Sequence, residues 1–307
     1  MQALWMVLGA FLFATMGVAV KIASAWFTSG EMVLWRGVIG IVFLWLLARS
    51  RGVSLATRYP GMHAWRSLIG VVSLGAWFYA IAHMPLATAV TLNYMSSVWI
   101  AAFLVGGALL AWMPVPGRDG RVSRPPLQAP LVLTVLTGFV GVVLMLKPSV
   151  DSSQGFAGLL GLLSGLTAAF AYMQVVALSR IGEPEMRTVF YFALGSAVAG
   201  ALATAFTGFS EWNWRHGLWL LPIGLLAALG QLCMTRAYAT AKTQSGTLVV
   251  ANLQYSGIIF AAFYSVVLFD DRIDAAGWTG MALIIASGVA ATVLRQRTVP
   301  QAPAEEH

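Results

Sequence analysis

The chain has 307 residues, a mean hydropathy of +0.80 and only 9% charged residues, whereas a soluble domain carries about 25%, so water does not surround it on all sides. Its net charge of +7 does not mark a nucleic-acid-binding surface, because the basic residues are spread over short connections. The single cysteine, Cys233, and four scattered histidines, His63, His83, His216 and His307, exclude a disulfide framework and offer no metal or catalytic cluster.

Apolar runs of about 20 residues, each long enough to cross the hydrocarbon of a bilayer, recur near 3–22, 32–48, 66–83, 86–110, 131–147, 156–178, 187–207, 217–236, 244–269 and 276–294. They do not alternate as barrel strands do, and backbone in lipid must bond internally, so the expectation is an all-α integral membrane protein with ten transmembrane helices. Ala23-Ser24-Ala25 resembles a signal-peptidase site, but the preceding stretch is too long and no basic region leads it. It is kept as a span. The connections 49–65 and 111–130 are basic and rich in Pro or Gly, and no Walker-type loop is present.

With a cytoplasmic N-terminus, Arg49, Arg51, Arg58, Arg66, Arg118, Arg121, Arg124, Arg180, Arg187, Arg236, Lys242, Arg295 and Arg297 lie inside. Only Lys21, Lys147, Arg215 and Arg272 lie outside. Short loops biased in this way set orientation, which puts both termini in the cytoplasm of a multi-pass protein of the plasma (inner) membrane. "GAFLFATMGVAV" (9–20) aligns with "GLLSGLTAAFAY" (161–172), and "LNYMSSVWIAAF" (92–103) with "VANLQYSGIIFAAF" (250–263). The chain therefore divides into a five-helix repeat over 1–148, a second over 149–294 and a disordered tail at 295–307. Five being odd, the repeats are inverted, an arrangement frequent in secondary transporters. Gly155, Gly158, Gly161 and Gly165 form a stripe suited to close helix packing.

"EMVLWRGVIG" (31–40), "YAIAHMPLATAV" (79–90) and "RAYATAKTQSGTLVVANLQYSGIIFAAF" (236–263) resemble, in order and spacing, the drug/metabolite transporter superfamily, specifically its EamA-type ten-helix branch. The resemblance covers roughly residues 3–294. It implies a central cavity between the repeats and alternating access for small organic metabolites such as amino acids or nucleobases, often moved outward. One departure stands out. Members commonly carry Glu directly after spans 4 and 9, whereas this chain has Asp270-Asp271 at the second place and the acid-free "LLAWMPVPG" at the first.

Polar groups inside the spans are the candidate substrate contacts, since each costs roughly 2–7 kcal/mol in hydrocarbon unless partnered. Asn252, Tyr255 and Ser256 share one helical face near the bilayer centre, and Asn93, Ser96 and Ser97 repeat that spacing in span 4. The competing reading is interhelical bonding, worth about 0.6 kcal/mol per pair. Tyr94 lies beside Asn93. Gln254 points to another face and reads as glue between helices or as a contact, while Gln174 and Gln231 are further candidates. Trp77 and Trp99 are the tryptophans away from span ends, suited to packing or to an aromatic wall. Arg36, about one turn below the external surface, either snorkels outward, pairs with Glu31 or attracts a substrate carboxylate.

The acids lie outside the span interiors, which disfavours a proton relay and points to an exporter or exchanger without metal or cofactor. An intramembrane enzyme lacks its paired carboxylates or Ser/His set. The alternative is a non-transporting sensor or structural protein of the same fold. The expected partners are a small-molecule substrate and the bilayer, with no nucleic acid and with a homodimer left open.

Overall fold

The computed structural model describes residues 2–96, 98–99, 102–103, 115–116, 122–123, 129–146, 152–240, 250 and 252–298. Within them the helices are α1 (Gln2–Ala23), α2 (Ser29–Ser50), α3 (Pro60–His83), α4 (Leu86–Asn93), α5 (Ala129–Leu146), α6 (Ser152–Arg180), α7 (Glu185–Thr207), α8 (Trp214–Gly217), α9 (Leu220–Thr240), α10 (Ser256–Phe269) and α11 (Ala275–Thr298). The connection 111–130 carries two short antiparallel strands, β1 (Val115–Pro116) and β2 (Val122–Ser123). Of the described helices, six are long and apolar enough to cross a membrane, with α8 and α9 together forming one of them; α5, α10 and α11 supply shorter apolar stretches. Side chains such as Phe206 (89% exposed) and Leu4 (73%) cover the outside. A surface this apolar is a lipid-facing one, and the chain is a multi-pass membrane protein.

Local chemistry sets the helix ends. Thr28 caps α2: its hydroxyl accepts from the Glu31 amide, and the Glu31 carboxylate accepts from the Thr28 amide at 2.8 Å. Pro60 opens α3 at its first turn, where a missing N–H costs nothing. Gly208 closes α7 at φ 82°, and Asp270 ends α10 in the left-handed region.

The expected fourth and ninth spans do not run as continuous helices. The Met95 amide bonds to the Leu92 carbonyl at 3.3 Å, and the Tyr255 and Ile258 amides bond three residues back to Asn252 and Tyr255. Such tightened turns interrupt the i→i−4 ladder. Ser256 contributes to the second interruption, since its hydroxyl donates to the Leu253 carbonyl at 2.7 Å. The interruptions adjoin. A Cβ at Gly257 would lie 2.6 Å from the Tyr94 ring, so the ring fills the space that glycine leaves. Asn252 and Ser256, expected on one continuous face, thus fall on either side of a break.

The most extensive contacts pair α2 with α7, α1 with α9, α5 with α11 and α3 with α6, while α4 packs on α10. Small residues permit the closest of these, as membrane helix packing requires. A Cβ at Gly37 would lie 2.7 Å from the Ala193 carbonyl and closer still to the Ala197 amide, so the α2 and α7 backbones touch there. In the expected glycine stripe, Gly161 and Gly165 admit Leu92, whereas Gly155 faces open space.

Polar networks tie the two ends of the bundle. At one, Glu31 accepts from the Ser210 amide and hydroxyl at 2.8 and 2.6 Å, Trp26 stacks on His216, and Lys21 donates to the Met84 carbonyl at 2.7 Å. At the other, Glu183 accepts from Thr57 and from Arg187, which also donates to the Ser54 carbonyl, and His63 Nε2 lies 3.7 Å away.

Gly37→Leu is expected to lower thermal stability in detergent by about 1–3 kcal/mol, read as a drop in Tm. Gly75→Ala, which meets nothing within 4 Å, should leave Tm unchanged or slightly raised. Burial opposes ionisation of Glu183, but the Thr57 and Arg187 hydrogen bonds and the Arg187 charge outweigh it and hold the carboxyl below its ordinary 4.5. A depressed folded pKa stabilises above the unfolded value and loses that contribution as pH falls through the folded one. Tm should therefore fall as pH drops below about 4.5, and Glu183→Gln, having lost the contribution already, should show a flatter profile over the same pH range.

Candidate functional site

A cavity lies among α1, α2, α3, α6, α7, α9 and the end of α4. Phe13 of α1 and Gln231 of α9 line it, each roughly 16 Å along its helix at ~1.5 Å per residue. That is close to the middle of the bundle. Met16, Arg36, Arg66, Gly70, Ser73, Leu74, Trp77, Asn93, Tyr94, Ala168, Ala171, Tyr172 and Phe192 complete the wall.

Arg36 and Arg66 are the charged groups of this wall. Arg36 is 5% exposed and Arg66 2%. Arg36 Nη1 donates to Ser196 Oγ at 3.1 Å; both guanidinium groups lie over the Phe192 ring, at 4.8 Å from its centroid for Arg36 and 3.7 Å for Arg66. Ser196 can accept because its own proton goes to the Phe192 carbonyl. Ser164 repeats the device, donating to the Gly161 carbonyl and accepting from Asn93 Nδ2 at 3.1 Å. Aromatic walls, amides and two cations can hold a small organic molecule. Among the described residues the wall holds no histidine and no carboxylate, and no His, Cys, Asp or Glu cluster could hold a metal ion.

The expected site residues separate into two groups. Arg36, Trp77, Asn93, Tyr94 and Gln231 line the cavity. Asn252, Gln254, Tyr255 and Gln174 are not among the lining residues, and Ser97 lies outside the described residues. Gln254 donates to the Tyr172 hydroxyl at 3.2 Å and accepts from Tyr238, bridging α6 and α9 as glue. The Tyr255 side chain packs on Gly288 of α11, where a Cβ could not fit beside its hydroxyl. Arg36 does not snorkel, nor is Glu31 its partner. Thr28 and Ser210 occupy that carboxylate, which at 2% exposure is buried in the first turn of α2.

Arg66, Tyr172 and Phe192 were not singled out from the sequence. Arg66 read as a loop cation because span 3 was expected to begin with it. Pro60 was the available signal: a proline at the first helical position puts Arg66 nearly two turns inside α3.

No family model matches the chain. It is 32% identical over 290 residues to the pseudopaline exporter of Pseudomonas aeruginosa, covering 92% of this chain and 93% of that one. It is 30% identical over 248 residues to the riboflavin transporter of Rhizobium johnstonii, covering 78% and 74%. One solved crystal structure superposes with a TM-score of 0.60 at 20% identity, covering 96% of this chain and 98% of that one, a likeness of fold. These relatives are named as transporters, and the chain is not an enzyme. By its identity over nearly the full length of both proteins, the chain belongs to the family of membrane transporters that includes the pseudopaline exporter.

Proposed function

We propose that the chain is a secondary transporter of the EamA-type drug/metabolite branch, moving small organic metabolites outward or in exchange across the inner membrane. The observation that carries this reading is the mid-bundle cavity, walled by residues from both 1–148 and 149–294. Substrate sites between repeats, beside interrupted helices, are the usual arrangement of such carriers. Tyr94, at the interruption after α4, is part of the wall.

The helix pairings support an inverted repeat. Exchanging the first five spans with the second five maps α1–α9 onto α6–α3 and leaves α2–α7, α4–α10 and α5–α11 unchanged. The distribution of Arg and Lys supports cytoplasmic termini. In that orientation the Glu183 network closes the cytoplasmic end and the Glu31 network the outer end. Alternating access then requires each to open in turn.

Purified protein in liposomes loaded with a whole-cell metabolite extract should lose a small set of compounds selectively, as followed by mass spectrometry against empty liposomes. Gln231→Leu, in the wall, should slow that loss about tenfold, whereas Gln174→Leu, outside it, should not. Equal slowing by both would remove the cavity from the transport path. The absence of any selective loss would remove the transport reading for this chain.

A further inference from the structure

We propose that the cavity binds a small amphipathic organic anion, its oxyanion held by Arg36 and Arg66 across the ring of Phe192; this substrate class rests on the transport reading above. Burial of two cations in one mid-bundle cavity demands negative charge nearby, and the described residues do not supply it. Glu31 is committed to Thr28 and Ser210 at one end of the bundle, and Glu183 to Thr57 and Arg187 at the other. Among the described residues neither cavity arginine takes part in an ion pair.

The donors are available as well as the charge. Arg36 Nε and Arg66 Nε and Nη1 are buried without a hydrogen-bond partner. A guanidinium stacked on an aromatic face is held by that face while its N–H groups still point outward in its own plane, the geometry that takes an oxyanion in a bidentate grip. Phe192 offers that face to both groups. Gly70 leaves room for Arg66, because a Cβ there would collide with Nη1 and with the Phe192 ring.

The rest of the wall selects the body of the molecule. Phe13, Trp77, Tyr94 and Tyr172 are aromatic and suit an apolar or planar skeleton. Asn93 and Gln231 add amides. A cationic compound would face two like charges with no acid among the described lining residues to offset them.

Phenylacetate, phenylacetamide and phenethylamine share one body and differ in charge, so thermal unfolding of the purified full-length protein with each is the test. Phenylacetate should raise Tm and the other two should not. The rise should vanish in Arg66→Gln and Arg36→Gln, each compared with its own unliganded Tm, persist in part in Arg66→Lys, and remain full in Arg215→Gln, a cation of α8 that stacks on Trp214 away from the cavity wall. Half-saturation should weaken roughly tenfold or more when either guanidinium is removed. No rise with phenylacetate, an equal rise with the amide, or a rise that survives Arg66→Gln would each overturn the proposal. Extract-loaded liposomes separate this from the transport reading. Selective export of neutral or cationic compounds unaffected by Arg66→Gln overturns the anion site and leaves transport standing. Phenylacetate binding with no selective export from wild-type protein leaves the anion site standing and removes transport.

Discussion

Polar atoms placed in hydrocarbon must find their partners within the protein, and here hydroxyl groups act as adaptors that meet this demand. Ser196, Ser164, Thr204, Thr235 and Thr91 each give their proton to a carbonyl one turn back in their own helix. That bond satisfies the donor and leaves oxygen lone pairs free to accept from a neighbour. Ser196 uses them for Arg36 and Ser164 for Asn93. Among the described residues, a guanidinium and an amide are thereby held at the cavity without a carboxylate as partner. The positions of the cavity's polar groups depend on these local bonds more than on ion pairing.

The adaptors work only if the helices stand at the right separation, and glycine sets it. Gly37 follows Arg36 directly, and Gly200 lies one turn beyond Ser196. Each would drive a Cβ into the opposite backbone. The α2–α7 contact therefore fixes the reach between Arg36 and Ser196. On the other side of α7, Ser67 donates to the Tyr191 carbonyl at 3.1 Å, one residue before Phe192. Both arginines are thus referred to the same short segment of α7.

Long apolar spans are legible in a sequence because hydrocarbon imposes one length on all of them, and α1, α2, α6 and α7 begin and end within a few residues of expectation. Interruptions were harder to see, since neither Tyr94 nor Gln254 is a helix breaker and the turns there depend on tertiary contact between Tyr94 and Gly257. Polar residue type identified Asn93, Gln231 and Arg36 as candidates. It could not separate Asn93 from Asn252, because which face meets the cavity is decided by packing across the bundle. Arg66 was hidden by a different effect. Near the end of an apolar run a cation reads as topology, and only the helix start at Pro60 reveals its depth.

The pair of cavity arginines has a consequence for the transport cycle. An alternating-access carrier must also reorient when empty, and an arginine near the bilayer centre costs at least about 2.5–3.5 kcal/mol even on lenient insertion scales. With Arg36 and Arg66 lacking an acidic counter-ion among the described residues, reorientation of the empty form would carry that burden unrelieved, while an anionic cargo would neutralise it on the loaded leg. If the chain moves an anion by alternating access, as proposed, loaded reorientation is the faster step. A carrier of this kind is trans-stimulated: compound waiting on the far side speeds release from the near side, and flux follows counter-exchange more readily than net leak.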